Sequence, residues 1–353
     1  MKNYRLFAAI GFFFVAAAVA QTTGLISAQA DPAVVRVQPT SAQADPAVVR
    51  DQPTSADSRT PEGRPDFQGI WDNGTLTPLE RGISRQIVGG LISLPPVTTL
   101  TIADSEATAY EQRLRTRDDF KRGDGSEGDL SGELNPAFLE FAAELARVNG
   151  SKRTSLIVDP ADGRIPYIAS EEERKTSRAP ERFDSVKDRP PGERCLSNAG
   201  APIPAFPFVD FYQIVQTPDS LMILAEDFHQ VRIIRIGGQH MSPGVRQWMG
   251  DSIGHWEGDT LMVDTTNFNA QPKFYGGSEK VRVVERFKPI DGDTFLYRAA
   301  VEDPSVFSQP WVIEYPFRRA SGPIYEDACH EGNYALPGIL KGARKSEADS
   351  AKQ

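Results

Sequence analysis

All four histidines of this 353-residue chain fall between positions 229 and 330: His229, His240, His255 and His330. Imidazole carries protons near neutral pH and is the commonest metal ligand, so its gathering in the second half marks where chemistry should be sought. His229 closely follows Glu226 and Asp227, and His330 stands between Asp327 and Glu331, directly after Cys329. A carboxylate at that reach orients an imidazole and raises its pKa. The pattern predicts an acid/base site with His229, His330, Glu226 and Asp327 as catalytic groups. His255, Tyr212, Trp248 and Tyr334 are expected to meet the substrate. Blander readings stand beside these. His255 precedes a Glu-Gly-Asp turn and equally suits a surface hydrogen-bonder, and His240, in a Gly/Ser/Pro loop, suits a solvated side chain. Trp71, Trp248, Trp256 and Trp311 equally suit core filling.

The spacings narrow the chemistry. No His-Glu-x-x-His or P-loop string occurs. GDGSEG at 123–128 has G-x-G-x-x-G spacing but falls in a polar loop, and GDSIG at 250–254 has G-x-S-x-G spacing; neither short match alone supports a dinucleotide or serine hydrolase reading. The expectation is a cofactor-free enzyme (lyase, isomerase, hydratase or hydrolase) acting on a small organic or sugar-like substrate in a β-barrel pocket. One divalent metal held by two histidines and a carboxylate is the variant. The alternative is a non-catalytic periplasmic protein that binds a small molecule in the same barrel.

The chain opens Met1-Lys2-Asn3-Tyr4-Arg5 and continues with an apolar run to Ala20, the form of a secretory signal peptide with Ala18-Val19-Ala20 as its cleavage site. Ala28-Gln29-Ala30 is a second candidate site. The run is shorter than the roughly 20 residues that cross a bilayer, and no later stretch is apolar enough. A periplasmic or secreted protein is expected, with no membrane span after cleavage. Losing Lys2 and Arg5 moves the formal charge from −9 to −11. An acidic surface without a basic stripe is a poor match for nucleic acid. Cys195 and Cys329 are the only cysteines, an even count that predicts a disulfide in an oxidising compartment. Such a bridge closes a long loop, worth about 4–5 kcal/mol on chain entropy. It would also exclude a Cys329/His330 nucleophile pair.

Elements that position these residues can be read from patterning. Residues 27–40 recur almost verbatim at 41–54, a Pro-rich repeat with too little apolar surface to pack, so 21–60 reads as a disordered linker. A single β-rich domain is expected over 61–345, with a helical and loop portion over 66–150, a β portion over 151–345 and a disordered tail over 346–353. A surface helix is expected over Ser105–Phe120, a loop over Lys121–Glu133, and an amphipathic helix from Asn135 to Gly150. Thr154–Val158 and Arg164–Tyr167 flank a Pro/Asp/Gly turn and read as a hairpin. Ser170 to Glu173 has capping-box spacing. Prolines rule out central strands over 181–207. From Phe211 onward short strands follow at even spacing: Phe211–Gln216, Leu221–Glu226, Val231–Ile236, Val245–Met249, Gly254–Trp256, Leu261–Thr266, Val281–Lys288, Thr294–Val301, Trp311–Phe317 and Tyr325–Cys329. Such an antiparallel meander closes into a barrel or a sandwich, with a few peripheral helices in the N-terminal part.

Several strings carry a resemblance. They are Pro65-Asp66-Phe67-Gln68-Gly69-Ile70-Trp71, Arg153 to Pro160 (RTSLIVDP), Arg246-Gln247-Trp248, Gly254 to Leu261 (GHWEGDTL), Val283 to Phe287 (VVERF), Val301-Glu302-Asp303-Pro304, and Cys329 to Tyr334 (CHEGNY). Over roughly residues 60–345 they resemble an uncharacterised family of exported bacterial proteins. That resemblance implies export and a single domain, and supplies no activity. Gly69-Ile70-Trp71 also has the Gly-x-Trp form that opens lipocalin barrels.

Overall fold

The computed structural model describes residues 58–82, 85–87, 90–92, 97–115, 142–170, 173–174, 183–196, 200–208, 210–270 and 275–352. The signal-like start, the repeats and the loop expected over 121–133 lie outside them. In chain order the elements are β1 Gly69–Asp72, β2 Arg85–Ile87, β3 Gly90–Ile92, β4 Thr101–Ile102, α1 Asp104–Arg115, β5 Arg147–Val148, β6 Ser151–Arg153 and β7 Ile157–Asp159. Then follow β8 Phe211–Gln216, β9 Ser220–Ala225, β10 Gln230–Ile236, β11 Asp251–Glu257, β12 Thr260–Thr266, β13 Arg282–Asp291, β14 Thr294–Glu302 and β15 Trp311–Arg319. Two helical pieces end the chain, α2 Cys329–Gly332 and α3 Ala335–Ser350.

Strand order is β1-β8-β9-β10-β11-β12-β13-β14-β15, and β1 also pairs with β15, so the sheet closes on itself as a nine-stranded barrel. Closure leaves no long free edge. Eight of the expected strands are found in this barrel, and alternation of inward and outward side chains is clear in β13 and β14. Val283, Glu285 and Phe287 face in while Arg282, Arg286 and Lys288 face out. The pairing is antiparallel except between β10 and β11, which run parallel with Ile234 opposite Ser252. Parallel neighbours need a connection that returns along the barrel. Residues 237–250 make that return, which is why Val245–Met249, expected as a strand, is a crossover in which Gln247 bridges to Phe268 and Arg246 donates to Phe268 O.

The lumen is filled. Phe67, Trp71, Tyr212, Phe287, Phe295, Tyr297, Tyr315 and Phe317 form one buried aromatic mass, with Trp71 and Phe295 ring centres 4.7 Å apart and Phe295 stacked on Phe317 at the same spacing. Rings edge-to-face at these distances add to the free energy of burial. The enclosed ligand pocket expected inside the barrel is therefore occupied by the protein's own side chains.

The seam at β15 has a particular build. Its far edge is shared by two short strands, β7 opposite Val312 and Ile313, and β1 opposite Arg318 and Arg319. On that edge Glu314 N–H reaches Leu156 O and Ala320 N–H reaches Ile70 O. By alternation Pro316, which has no N–H to give, falls in the gap between the two partners, where a proline removes no ladder bond.

Other expectations are corrected. Thr154–Val158 does not pair with Arg164–Tyr167 as a hairpin. β7 pairs with β15, and Tyr167 bridges to Phe307. The helix expected from Asn135 to Gly150 fails over its described part. Ala142 N–H bonds Pro207 O, Leu145 N–H bonds Glu111 Oε1, and Ala146 N–H bonds Thr77 Oγ1, so these amides are taken by other segments and the chain runs extended into β5. Tyr325–Cys329 pairs with no strand, and residues 346–350, expected as tail, are the last turns of α3. The helix begun at Ser105 is α1 as far as Arg115, and Ser170 and Glu173 exchange their capping hydrogen bonds.

Candidate functional site

Strand directions bring the β9–β10 turn, the start of β8 and the end of the crossover to one end of the barrel; β15 ends at the other, and the segment after it comes back to meet the turn at Tyr325 and Asp327. The four residues expected to be catalytic meet there, in altered roles. Glu226 Oε1 accepts Tyr325 N–H at 2.8 Å, and Asp327 Oδ2 accepts Phe228 N–H at 2.7 Å. Both carboxylates therefore lash the 226–229 turn to the C-terminal segment. His229 and His330 are exposed, and the bond between His229 and Glu226 is a backbone one, His229 N–H donating to Glu226 O at 3.2 Å. The turn carries backbone strain, since Phe228 and His229 both take positive φ, near 56° and 49°. Close by, Cys195 and Cys329 form the expected disulfide, with Cα atoms 5.8 Å apart, and a bonded Cys329 is no nucleophile.

A second carboxylate in this corner has a different character. Asp210 is 5% exposed; its Oδ2 accepts the Tyr212 hydroxyl at 2.7 Å and its Oδ1 accepts Asp227 N–H at 3.4 Å. Burial pushes its pKa up to about 6, with the negative charges of Glu226 and Asp72 adding to the push and the two hydrogen bonds holding it back. Tyr212 lies in the barrel wall facing inward, and burial drives its phenol well above the ordinary range, so it stays a donor.

Residues 201–207 lie across this end and are pinned at Ile203, Pro204, Phe206 and Pro207. Ile203 N–H donates to Tyr297 Oη at 2.8 Å, and Tyr315 Oη donates to Ile203 O. Asn73 Nδ2 donates to Pro204 O at 2.8 Å, and Thr75 N–H reaches Phe206 O. Below them Tyr297 Oη donates to Glu285 Oε1 at 2.8 Å, and Glu285 forms a bidentate pair with Arg232 inside the barrel. Arg232 also donates to Ser252 Oγ and Thr265 Oγ1. The pair's side chains are only 3% and 0% exposed, so each ion depends on the other for its charge to be tolerated. Burial alone would lower the Arg232 pKa, but Glu285 outweighs it and raises it. A narrow cleft opens beside the network, lined by Gly200, Ile203, Tyr212, Gln230, Arg232 and Met249 among others, with room for about one water molecule.

The remaining expected contacts are scattered. Tyr212 lines the cleft. Trp248 is an exposed residue of the crossover, and Tyr334, between α2 and α3, is 83% exposed. His255 faces outward from β11, its Nε2 3.3 Å from Glu257 Oε1. His240 is not simply solvated: its Nδ1 lies 3.1 Å from Asp251 Oδ2 and its Nε2 3.7 Å from Asp264 Oδ2. Burial alone would raise the Asp251 carboxyl, but Met241 N–H, His240 and Arg235 hold it below the usual range, so this knot anchors the crossover. Among the described residues no three His, Cys, Asp or Glu side chains converge as a metal-ligand set.

Glu285 was detectable in the sequence, because it falls on the inward parity of Val283 and Phe287. Arg232 was hidden, because β10 is apolar on both faces: Ile234 points in while Val231 and Ile233 point out. Asp210 precedes its strand and carries no periodic signal. No helix among the described residues is long and apolar enough to cross a membrane. Comparison with protein-family models, with curated proteins and with solved structures finds no match.

Proposed function

We propose that this chain is an exported acid/base enzyme whose proton-carrying group is Asp210 rather than a histidine. The observation that carries the reading is the Asp210–Tyr212 pair, buried at the barrel end where Tyr212 and Arg232 line the same cleft. A carboxyl that exchanges its proton near pH 6 suits general acid/base work close to neutrality. Tyr212 joins that carboxyl to the cleft and relays a proton to a bound molecule when Asp210 is protonated, while the Arg232 charge is already balanced by Glu285. With the lumen filled, the substrate is a small polar organic molecule that seats at the rim. The signal-like start and the disulfide support export.

The test is deuterium incorporation from D2O into small hydroxy acids, oxo acids and sugars, followed by proton NMR with the mature protein. Exchange should follow a group titrating near 6. It should fall by about 100-fold or more in Asp210→Asn, the usual share of one positioned proton carrier. Tyr212→Phe should weaken it, while His229→Ala and His330→Ala should leave it unchanged. Exchange that persists in Asp210→Asn, or that vanishes with either histidine, sinks the assignment.

A further inference from the structure

After Phe317 no residue as far as Lys352 is buried. A segment with no residue in the core has little hydrophobic free energy holding it down. What attaches residues 325–350 is a short set of polar bonds and one covalent link. Glu226 and Asp327 make the two carboxylate-to-backbone bonds already described. Asn333 Nδ2 donates to Glu193 O at 2.8 Å, Arg344 Nη2 donates to Phe183 O, and Cys329 is bonded to Cys195. Both carboxylate bonds end on the 226–229 turn, whose Asp227 N–H in turn reaches Asp210. The strap thus holds the turn that shields the buried carboxyl.

We propose that the Cys195–Cys329 disulfide is a site of thiol–disulfide exchange with a dithiol donor, and that its reduction releases residues 325–350 as a strap. The two residues are unequally exposed, Cys195 being buried and Cys329 part-exposed, which favours approach from the Cys329 side. A donor thiolate attacks Cys329 Sγ, forming a mixed disulfide as the Sγ–Sγ bond breaks and Cys195 leaves as a thiolate that takes up a proton. The donor's second thiolate attacks the donor sulfur of that mixed disulfide. Cys329 then departs and is protonated, and the donor is left oxidised. Two electrons and two protons have passed to the chain. With the covalent link gone, the strap depends on exposed and part-buried polar bonds, each worth little against the chain entropy regained. Release frees the 226–229 turn to relax from positive φ and uncovers Asp210.

Regulation of Asp210 rests on the acid/base reading; release of the strap does not. Hydrogen–deuterium exchange by mass spectrometry on the full mature protein, with and without dithiothreitol, reads the strap. Reduction should speed exchange over 325–350 and at 226–229 by at least about tenfold, leaving β8 to β15 unchanged. Cys195→Ser with Cys329→Ser should reproduce this without reductant. Unchanged protection of the strap overturns the proposal, and so does equal loss throughout the barrel, which would make the bridge a staple of the whole fold. A monothiol adduct trapped on Cys195 instead of Cys329 overturns the order of attack. If the strap opens while deuterium incorporation into substrates stays absent, the acid/base reading fails and the switch stands.

Discussion

Replacing Asp210 by Asn should make the protein less stable in acid and more stable above neutrality. The native carboxyl holds its proton up to about 6, whereas an ordinary aspartate loses it at 3.8. Below the lower value both folded and unfolded chains are protonated at this residue and burial carries no electrostatic penalty. As pH rises between the two values the unfolded chain ionises while the native chain does not. Unfolding then gains a term the native state lacks, and stability falls. At about 1.4 kcal/mol for each tenfold in proton affinity, the loss reaches about 3 kcal/mol once the native carboxyl has also ionised. Asn carries no charge and escapes this penalty. It offers one accepting oxygen where Asp offers two, which costs about 1 kcal/mol at every pH. Urea unfolding of both proteins should therefore place Asp210→Asn about 1 kcal/mol below wild type at pH near 3, and about 2 kcal/mol above it at pH near 8. Groups common to both chains cancel in this difference. A difference that stays constant between the two pH values would falsify the raised pKa and, with it, the case for Asp210 as proton carrier.

Two further changes probe the buried network and the filled lumen. Glu285→Gln leaves the Arg232 guanidinium buried without its counter-ion and should cost about 3–5 kcal/mol; Arg232→Met combined with Glu285→Leu should cost clearly less, measured by urea midpoint. Phe295→Ala, at the centre of the aromatic mass, should cost about 3–5 kcal/mol by the same assay, and a cost under about 1 kcal/mol would mean the lumen collapses freely around the gap.

How much of this could be seen in the sequence depends on what the sequence makes periodic. Val283, Glu285 and Phe287 alternate against charged neighbours, so β13 and its inward glutamate were legible from parity alone. Crossover 237–250 was not, because Val245 to Met249 has strand-like composition and nothing local says that β11 runs parallel to β10. Ala142 to Val148 shows a helical stripe, yet its amides find better partners on Thr77, Glu111 and Pro207, and tertiary contacts override propensity. The site fared in the same way. Glu226, His229, Asp327 and His330 do converge, but the carboxylates are spent on backbone amides rather than on imidazoles. Chain proximity of a His and an acid gives no information about where the acid's lone pairs point.

The seam has a consequence for assembly. β1 is the first barrel strand in the sequence and β15 the last, and they pair with one another. Between them β8 to β15 are joined to their sequence neighbours, so seven pairings can form as each strand follows the one before it. Closing the ring must wait for the end of the chain, and it brings together residues with nearly the whole domain between them, the slowest kind of contact to make. On a chain that emerges N-terminus first, Gly69–Asp72 is the first barrel strand to appear, and it can pair with β8 as soon as that strand forms. Its other edge stays open until β15 arrives, and an open sheet edge is the surface on which neighbouring chains can add.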